Sequence, residues 1–515
     1  MNTPPSAVGS SSRWLALAVL TLPVILTSMD ITILHIAIPS ITRELQPSSS
    51  QTLWILDAYG FLLAGLLIVM GNLGDRIGRR RLLMIGASVF ALASALAAFS
   101  PSPELLILAR ALMGIGGATL MPSTLSLIRN LFTDPAERTR AIGIWTASLS
   151  AGIALGPIVG GFLLEEFWWG SVFLINVPVI LVLLVAARVL VPEHRNHASP
   201  RLDFASVMLS FAGIIPFVWA IKIIAEDLRV SSAVLGALAF AAVAATVFIA
   251  RQRRLSDPLV DMALFRGPRF SGAVLGAGLA MFSLVGVMLY NAQYLQLVVG
   301  LSPLPAGLAL LPVMVGVASM SVLASVLVRR VGYPVVFGAG AALAAAGMIA
   351  FSRVPADDGL PLAVVASALI GAGIAPMMTL ATDVVVGSVP PSRSGAASAL
   401  TETAAELGAA LGIAVLGSVG TAIYRSRLTD AIPADVPAGT ADVVTSSLGA
   451  ALEMAGHLPA TAAGHLAEQA RESFVDGLAV AALVGGVILA GAAVVCPVLL
   501  HRGGPPRRMA SPVAE

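Results

Sequence analysis

Fourteen apolar stretches, each long enough to cross a bilayer, constrain this chain more than any other feature. They fall at 14–36, 53–73, 82–100, 104–127, 139–163, 170–190, 203–225, 230–250, 270–299, 304–328, 334–352, 361–386, 394–424 and 476–500. A helix rises 1.5 Å per residue, so about twenty residues span the ~30 Å hydrocarbon core. Backbone donors and acceptors cannot stay unpaired in hydrocarbon, and a helix pairs them within its own segment. The chain is 57% hydrophobic and 11% charged over 515 residues, which excludes a soluble domain. The expected fold is all-α and integral to the membrane. The first stretch reaches full spanning length and others follow it, so no cleaved signal is expected. A single cysteine, Cys496, rules out internal disulfides and cysteine-held metals.

The placement of charge sets the orientation. Of 30 Lys and Arg residues, Arg43, Arg229, Arg353, Arg425, Arg427 and Arg471 fall on the side opposite the termini. Arg110 and Lys222 fall inside spans, and the rest crowd the side bearing the termini. That asymmetry assigns the terminal side to the cytoplasm. The expected location is a bacterial inner (cytoplasmic) membrane, multi-pass, with both termini cytoplasmic.

The densest basic turn is GNLGDRIGRRR, 71–81. A polar segment this short between two spans must be a tight surface loop. Gly71, Gly74 and Gly78 let the chain turn and let helices approach. Asp75 can pair with an arginine of its own loop or cap the next helix. A mere topology anchor would need only the arginines. The stretch resembles the loop between helices two and three of the major facilitator superfamily. The resemblance rests on Gly71, Asp75, Arg76, Gly78 and Arg79 onward. It implies a conformational latch between two halves that breaks and reforms during alternating access.

The chain also repeats. DPAERTRAIG (134–143) precedes span five and PPSRSGAASA (390–399) precedes span thirteen. RRVG (329–332) is a degraded copy of the 71–81 turn. Arg138 and Arg393 are 255 positions apart, and Gly78 and Gly332 are 254 apart, so two landmarks share one offset. The expected organisation is two related six-helix bundles, 1–195 and 261–515, with two inserted helices in 196–260. This arrangement resembles the fourteen-helix drug–proton antiporter branch, that of QacA-type and LfrA-type multidrug exporters.

Ionisable residues inside the membrane are costly and mark function by default. Asp30, in MDITILHIAIP, lies roughly 12 Å below the outer end of span one. Asp57, in WILDAYG, lies about a turn below the same surface in span two. Asp30, Thr32, Ala37 and Pro39 are similar to the first-helix signature of the fourteen-helix branch, which usually carries Asn where His35 stands. Arg110, in ILARALMGIGGA, lies roughly 9 Å inside span four and needs an acid, which Asp30 or Asp57 can supply. Its surroundings resemble the superfamily's fourth-helix motif, in which the arginine is linked to proton transfer. Glu402 and Glu406, in span thirteen, share one helix face. Two carboxylates there cannot both ionise cheaply, so such a pair can hold a proton until a cation displaces it. The stretch looks like the acidic thirteenth helix of the same exporters. Each group also has a plainer reading, as a helix–helix hydrogen bond or a permanent ion pair.

Span five reads AGIALGPIVGG. Gly152, Gly156 and Gly160 form one bare stripe, and Pro157 adds a bend. Close packing alone explains the stripe. The whole string is nevertheless similar to the antiporter motif of drug-exporting facilitators, which implies export over uptake. Trp54, Tyr59, Trp145, Phe282, Tyr290 and Tyr294 are candidate stacking surfaces for flat cations, with Gln293 and Gln296 as polar contacts. Lys222, Glu226 and Asp227 read as a structural cluster. The outer segment 425–475 carries helix-like apolar spacing and a net acidic charge. It reads either as an acidic lip for cations or as a connector.

The residues and the resemblance lead to a proton-coupled efflux antiporter, not an enzyme, for lipophilic cations. These include quaternary ammonium compounds, dyes such as ethidium, and fluoroquinolones. Protons and the lipid bilayer are its other partners, and nucleic acid is not one. No cofactor or metal is expected beyond the proton gradient as energy source, and a monomer is the expected functional unit. An alternative with the same fold is an exporter of an endogenous metabolite, lipid or self-made antibiotic. A membrane enzyme or receptor lacks support: there is no nucleotide loop, metal-ligand spacing, nucleophile elbow or soluble domain.

Overall fold

The computed structural model describes residues 10–132, 134–193, 203–227, 231–255, 258, 262–388, 394–432 and 440–502. The side chains of Gly71, Asp75, Lys222, Glu226, Asp227 and Glu402 lie outside the described residues. Apolar periodicity gives way to helix at every expected span. The helices are α1 (Ser10–Leu45), α2 (Ser49–Ile77), α3 (Arg79–Ala98), α4 (Pro103–Leu131), α5 (Pro135–Glu166) and α6 (Ser171–Leu190). Then come α7 (Phe204–Asp227), α8 (Ser232–Arg254), α9 (Pro268–Val298), α10 (Pro303–Val331), α11 (Tyr333–Phe351) and α12 (Leu360–Gly387). The last are α13, running from Ser394–Gly412 through Ile413–Gly417 to Ser418–Ala431, and α14 (Ala460–Arg502). Among the described residues 13 helices are long and apolar enough to cross a membrane, and α7 contributes a shorter apolar stretch, Ala205–Ile221.

The helices pack in recurring sets. α1 lies on α5, while α2 and α3 both lie on α4; α11 and α10 lie on α12, and α9 on α13 and α14. α7 and α8 pack chiefly on each other, and α7 also reaches α2 and α13. In hydrocarbon such contacts rest on close van der Waals fit. The turns between α2 and α3 and between α10 and α11 make the repeat visible in the backbone. Gly78 has φ 111° and Gly332 has φ 82°, a left-handed region that favours glycine.

Two helices change pitch near the far face, the one opposite the termini. Tyr294–Val298 and Ile413–Gly417 are π-helical turns. Such turns disturb the regular backbone pairing. The Tyr290 hydroxyl answers one of them, donating to the carbonyls of Leu416 (2.9 Å) and Gly417 (2.8 Å).

In the segment 425–475, at the far face, most of the described residues are helical. α13 continues to Ala431, α14 begins at Ala460, and two short helices, Ala441–Val444 and Leu448–Ala455, lie between. Val444, Leu448, Ala451, Leu466 and Ala470 are buried, so the apolar spacing is spent on packing. Tyr424 donates to Val444 O (2.8 Å), Arg471 Nε to Leu297 O (3.0 Å), and Gln46 Nε2 to Glu453 Oε1 (3.2 Å). The last bond ties this hairpin to the end of α1. Residues 433–439 lie outside the described residues.

Helices α1–α6 meet α9–α14 from mid-depth to that far face. A Cβ at Gly161 would meet Pro303 O and Leu304 Cα, each at 2.7 Å, and Gly307 lies against the Pro157 carbonyl. Gln296 Nε2 donates to Ile36 O at 2.9 Å.

Candidate functional site

Arg110 is 1% exposed, the largest side chain among those fully buried. Ser102 caps α4 and Pro103 opens it, which sets Arg110 two turns inside. A buried guanidinium needs both charge and hydrogen bonds. Asp30 Oδ2, from α1, lies 2.5 Å from Arg110 Nη1, and Ile55 O accepts from Nε at 3.1 Å. The guanidinium also sits over the Tyr59 ring at 4.8 Å and the Phe173 ring at 6.0 Å. Of the two acids available on sequence grounds, Asp30 is therefore the partner. Its other oxygen, Oδ1, is buried and accepts no hydrogen bond among the described residues.

Beside this pair lies a small cavity of about 40 Å³. His35, Asp57, Tyr59, Arg110 and Glu406 line it with Leu34, Leu56, Val285 and Ile413. Asp57 is 2% and His35 4% exposed. Glu406 crosses from α13 toward α2: a Cβ at Gly60 would stand 3.6 Å from its Oε2. Four of the five expected acid and base positions, Asp30, Asp57, Arg110 and Glu406, thus share one locality built from both sets of helices. The fifth, Glu402, lies outside the described residues. Three carboxylates against one guanidinium leave an excess that protons or a cation can balance.

The glycine stripe of α5 lies flat on α1. Gly152 faces Ile25 O, Gly156 faces Thr32 Oγ1 and Met29 O, and Gly160 faces the Ile33 side chain. Thr32 Oγ1 donates to Ile153 O at 3.0 Å. Next to the stripe, Pro157 O and Gly161 meet α10. One helix therefore carries both the pairing with α1 and the contact between the two sets of helices.

At the α2–α3 turn the described side chains among those expected to form a latch are arginines. Arg76 is exposed, and Arg79 is buried with Nη1 3.5 Å from Pro122 O. Asp75 and Gly71 lie outside the described residues. A residue that sequence reasoning missed supplies the cap of α3. Glu193, after α6, accepts from the backbone N–H of Arg80 (3.0 Å) and Arg81 (3.1 Å). Arg80 Nη1 adds a bond to Val191 O at 3.0 Å. The only signal was an acid just past a span, which any loop carries.

The aromatic candidates separate. Tyr59 lines the space beside Arg110. Trp54 tilts against Phe61, 6.1 Å between ring centroids, close to Val218 of α7. Trp145 Nε1 donates to Thr124 at 3.1 Å, Phe282 is buried with its backbone against Gly412, and Tyr294 donates to Pro355 O at 2.7 Å. Tyr290 lines a second space nearer the far face, with Gln293, Tyr424 and Phe474.

A family model for the Major Facilitator Superfamily matches residues 20–413. The chain belongs to the major facilitator superfamily. Within it, the chain is 43% identical to the multidrug efflux pump LfrA of Mycolicibacterium smegmatis, over 97% of this chain and 99% of that one. It is 36% identical to the methyl viologen resistance protein SmvA of Salmonella typhimurium, over 93% and 96%. It is 34% identical to the tetracenomycin C resistance and export protein of Streptomyces glaucescens, over 96% and 93%. Solved facilitators share the fold. A bacterial homologue of the lysosomal transporter Spinster, in an inward-facing and unoccupied form, superposes with a TM-score of 0.67 at 18% identity, over 96% and 99%. This chain is thus a multi-pass membrane protein of a transporter family.

Proposed function

We propose that this facilitator is a proton-coupled antiporter that exports lipophilic cations, such as quaternary ammonium compounds and ethidium. One observation carries the reading: Asp30, Asp57 and Glu406 converge on a single buried arginine in a space shared by both sets of helices. In the proposed cycle a cation entering from the terminal, cytoplasmic side takes the place of a proton on these acids. A proton from the far side later displaces the cation. Glu402 joins Glu406 as a second proton holder, and the 71–81 turn is the latch on the cytoplasmic side. The membrane potential contributes about 2.3 kcal/mol per 100 mV for each charge moved. The names of the relatives, a multidrug efflux pump and a methyl viologen resistance protein, fit a cationic cargo.

A second reading, export of a self-made antibiotic, is favoured by the relative named for tetracenomycin C export. Ethidium efflux from energised vesicles, with and without a proton gradient, separates the two. The antiporter reading expects gradient-dependent efflux that falls to the level of empty vesicles in Asp30→Asn and in Glu406→Gln. No dye movement by the wild-type protein, with normal amounts in the membrane, would favour the antibiotic exporter. Efflux unchanged in both variants would remove these acids from the mechanism.

A further inference from the structure

The two inserted helices hold a feature the transport reading leaves unused. Between α7 and α8 runs an apolar groove of about 490 Å³ lined by Leu209, Gly213, Ile214, Phe217, Ala241 and Phe248. Glycine and alanine make the hollow: a Cβ at Gly213 would meet only ordinary contacts, at 3.7 Å from Ala241 O and Ala245 N. Met208, Phe217, Leu235, Val243 and Val247 are exposed on these same two helices, so the groove opens toward hydrocarbon and not toward the buried acids.

At its terminal end the groove meets charge. Arg251, about one turn beyond Phe248, is fixed by Asp203: Nη2 to Oδ1 is 2.8 Å and Nε to Oδ2 is 3.2 Å. Ser206 closes the network with Arg251 Nε (3.3 Å) and Gln252 Nε2 (2.6 Å). Arg251 keeps 39% of its side chain exposed, and Arg253 and Arg254 beside it are exposed. Among the described residues at this end, three arginines stand against one aspartate, a local excess of two positive charges.

We propose that this groove binds an anionic phospholipid, with an acyl chain along Gly213 and Ala245 and the phosphate at Arg251, Arg253 and Arg254. The apolar trough explains the tail, and the fixed guanidinium at its end explains the sign of the headgroup. Occupancy has a route to the transport site. Val218 of α7 packs with Phe61 of α2 and with Ala410 and Ala414 of α13, and Phe211 of α7 lies against Gly65 of α2. Those helices carry Asp57 and Glu406.

The test is native mass spectrometry of the purified full chain with dioleoylphosphatidylglycerol and dioleoylphosphatidylcholine, which share their chains and differ in headgroup charge. Two net charges near an anionic group predict about a thirtyfold preference for phosphatidylglycerol. Arg253→Gln/Arg254→Gln, which touches no described bond between the helices, removes both net charges and should bring the preference close to one. Arg251→Gln added to it should leave no preference for phosphatidylglycerol. Gly213→Leu/Ala245→Phe, which fills the trough, should lower retention of both lipids. Equal binding of the two lipids by the wild-type protein would overturn the proposal. So would a preference unchanged in the triple arginine variant, or retention unchanged in the filled groove. None of these outcomes depends on whether the cargo is a drug.

Discussion

Arg110 is held by an acid, a backbone carbonyl and two aromatic faces, and each contributes differently. The carboxylate supplies the opposite charge, and the Ile55 carbonyl satisfies a donor that Asp30 does not reach. Removing one member of a buried pair strands the other, at a cost of about 3–5 kcal/mol. Arg110→Gln should therefore destabilise by roughly that amount, and Asp30→Asn/Arg110→Gln by clearly less than the two single changes added together. A double-mutant cycle of unfolding in detergent checks this; additive losses would mean that the pair is not coupled. Asp203 allows a prediction in pH. The hydrogen bond from Arg251, aided by Ser206, brings its carboxyl down to about 2. A lowered carboxyl stabilises the fold fully above its ordinary pKa, near 4, and that contribution fades as pH falls from about 4 toward 2. Protection factors against hydrogen exchange in α7 should therefore fall over that acid window in the wild-type protein, and Asp203→Asn should remove that fall. The charged residues within spans were legible in the sequence, because an acid or arginine inside twenty apolar residues is costly and stands out. Their pairing was not, because helix depth alone left Asp30 and Asp57 equivalent. Glu193 was not legible either, since the turn it caps is more than a hundred residues away.

At the scale of elements, the span pattern became helices almost one for one, because the twenty-residue apolar period is set by the bilayer itself. The two π-helical turns had no sequence signal; Tyr290 reveals one only through the carbonyls it meets. The 425–475 segment showed its helical spacing but not what the helices cover, because apolar spacing marks a face without naming its partner. The α5 stripe was legible as a packing face, and the structure supplies its partner, α1. Gly156 is the tightest point, where a methyl group would fall on Thr32 Oγ1 and lie 2.9 Å from Met29 O. Overpacking of this kind costs about 1–3 kcal/mol. Gly156→Ala should lower stability in detergent by that amount and slow efflux. Thr32→Ala in the same chain should restore part of both, because the Met29 carbonyl still crowds the methyl group. Full stability of Gly156→Ala alone would show that α1 and α5 give way more easily than their contact suggests.

At the scale of the molecule, the contacts described between the two sets of helices lie from mid-depth to the far face. Gln296 to Ile36, Gly161 against Pro303, and Glu406 toward Gly60 all belong to that half. The hairpin between α13 and α14 adds a strap over the same end, with Glu453 bonded to Gln46 at the close of α1. The offset of the repeat predicted two bundles but could not say which end is shut, since a sequence repeat records ancestry and not conformation. If transport proceeds by rocking of the bundles, the far end must open, and α1 must then part from the hairpin. A short thiol cross-link between Gln46→Cys and Glu453→Cys should hold that end closed. Cys496 is buried, so the engineered pair carries the reaction almost alone. Cross-linking should stop efflux while leaving ethidium binding from the terminal side intact, and a cleavable linker should restore transport once cut. Efflux at an unchanged rate with the link in place would mean that cargo leaves by a path that never separates α1 from the hairpin. In that case the α5–α10 and α1–α9 contacts at the far face would have to part while the strap stays fastened.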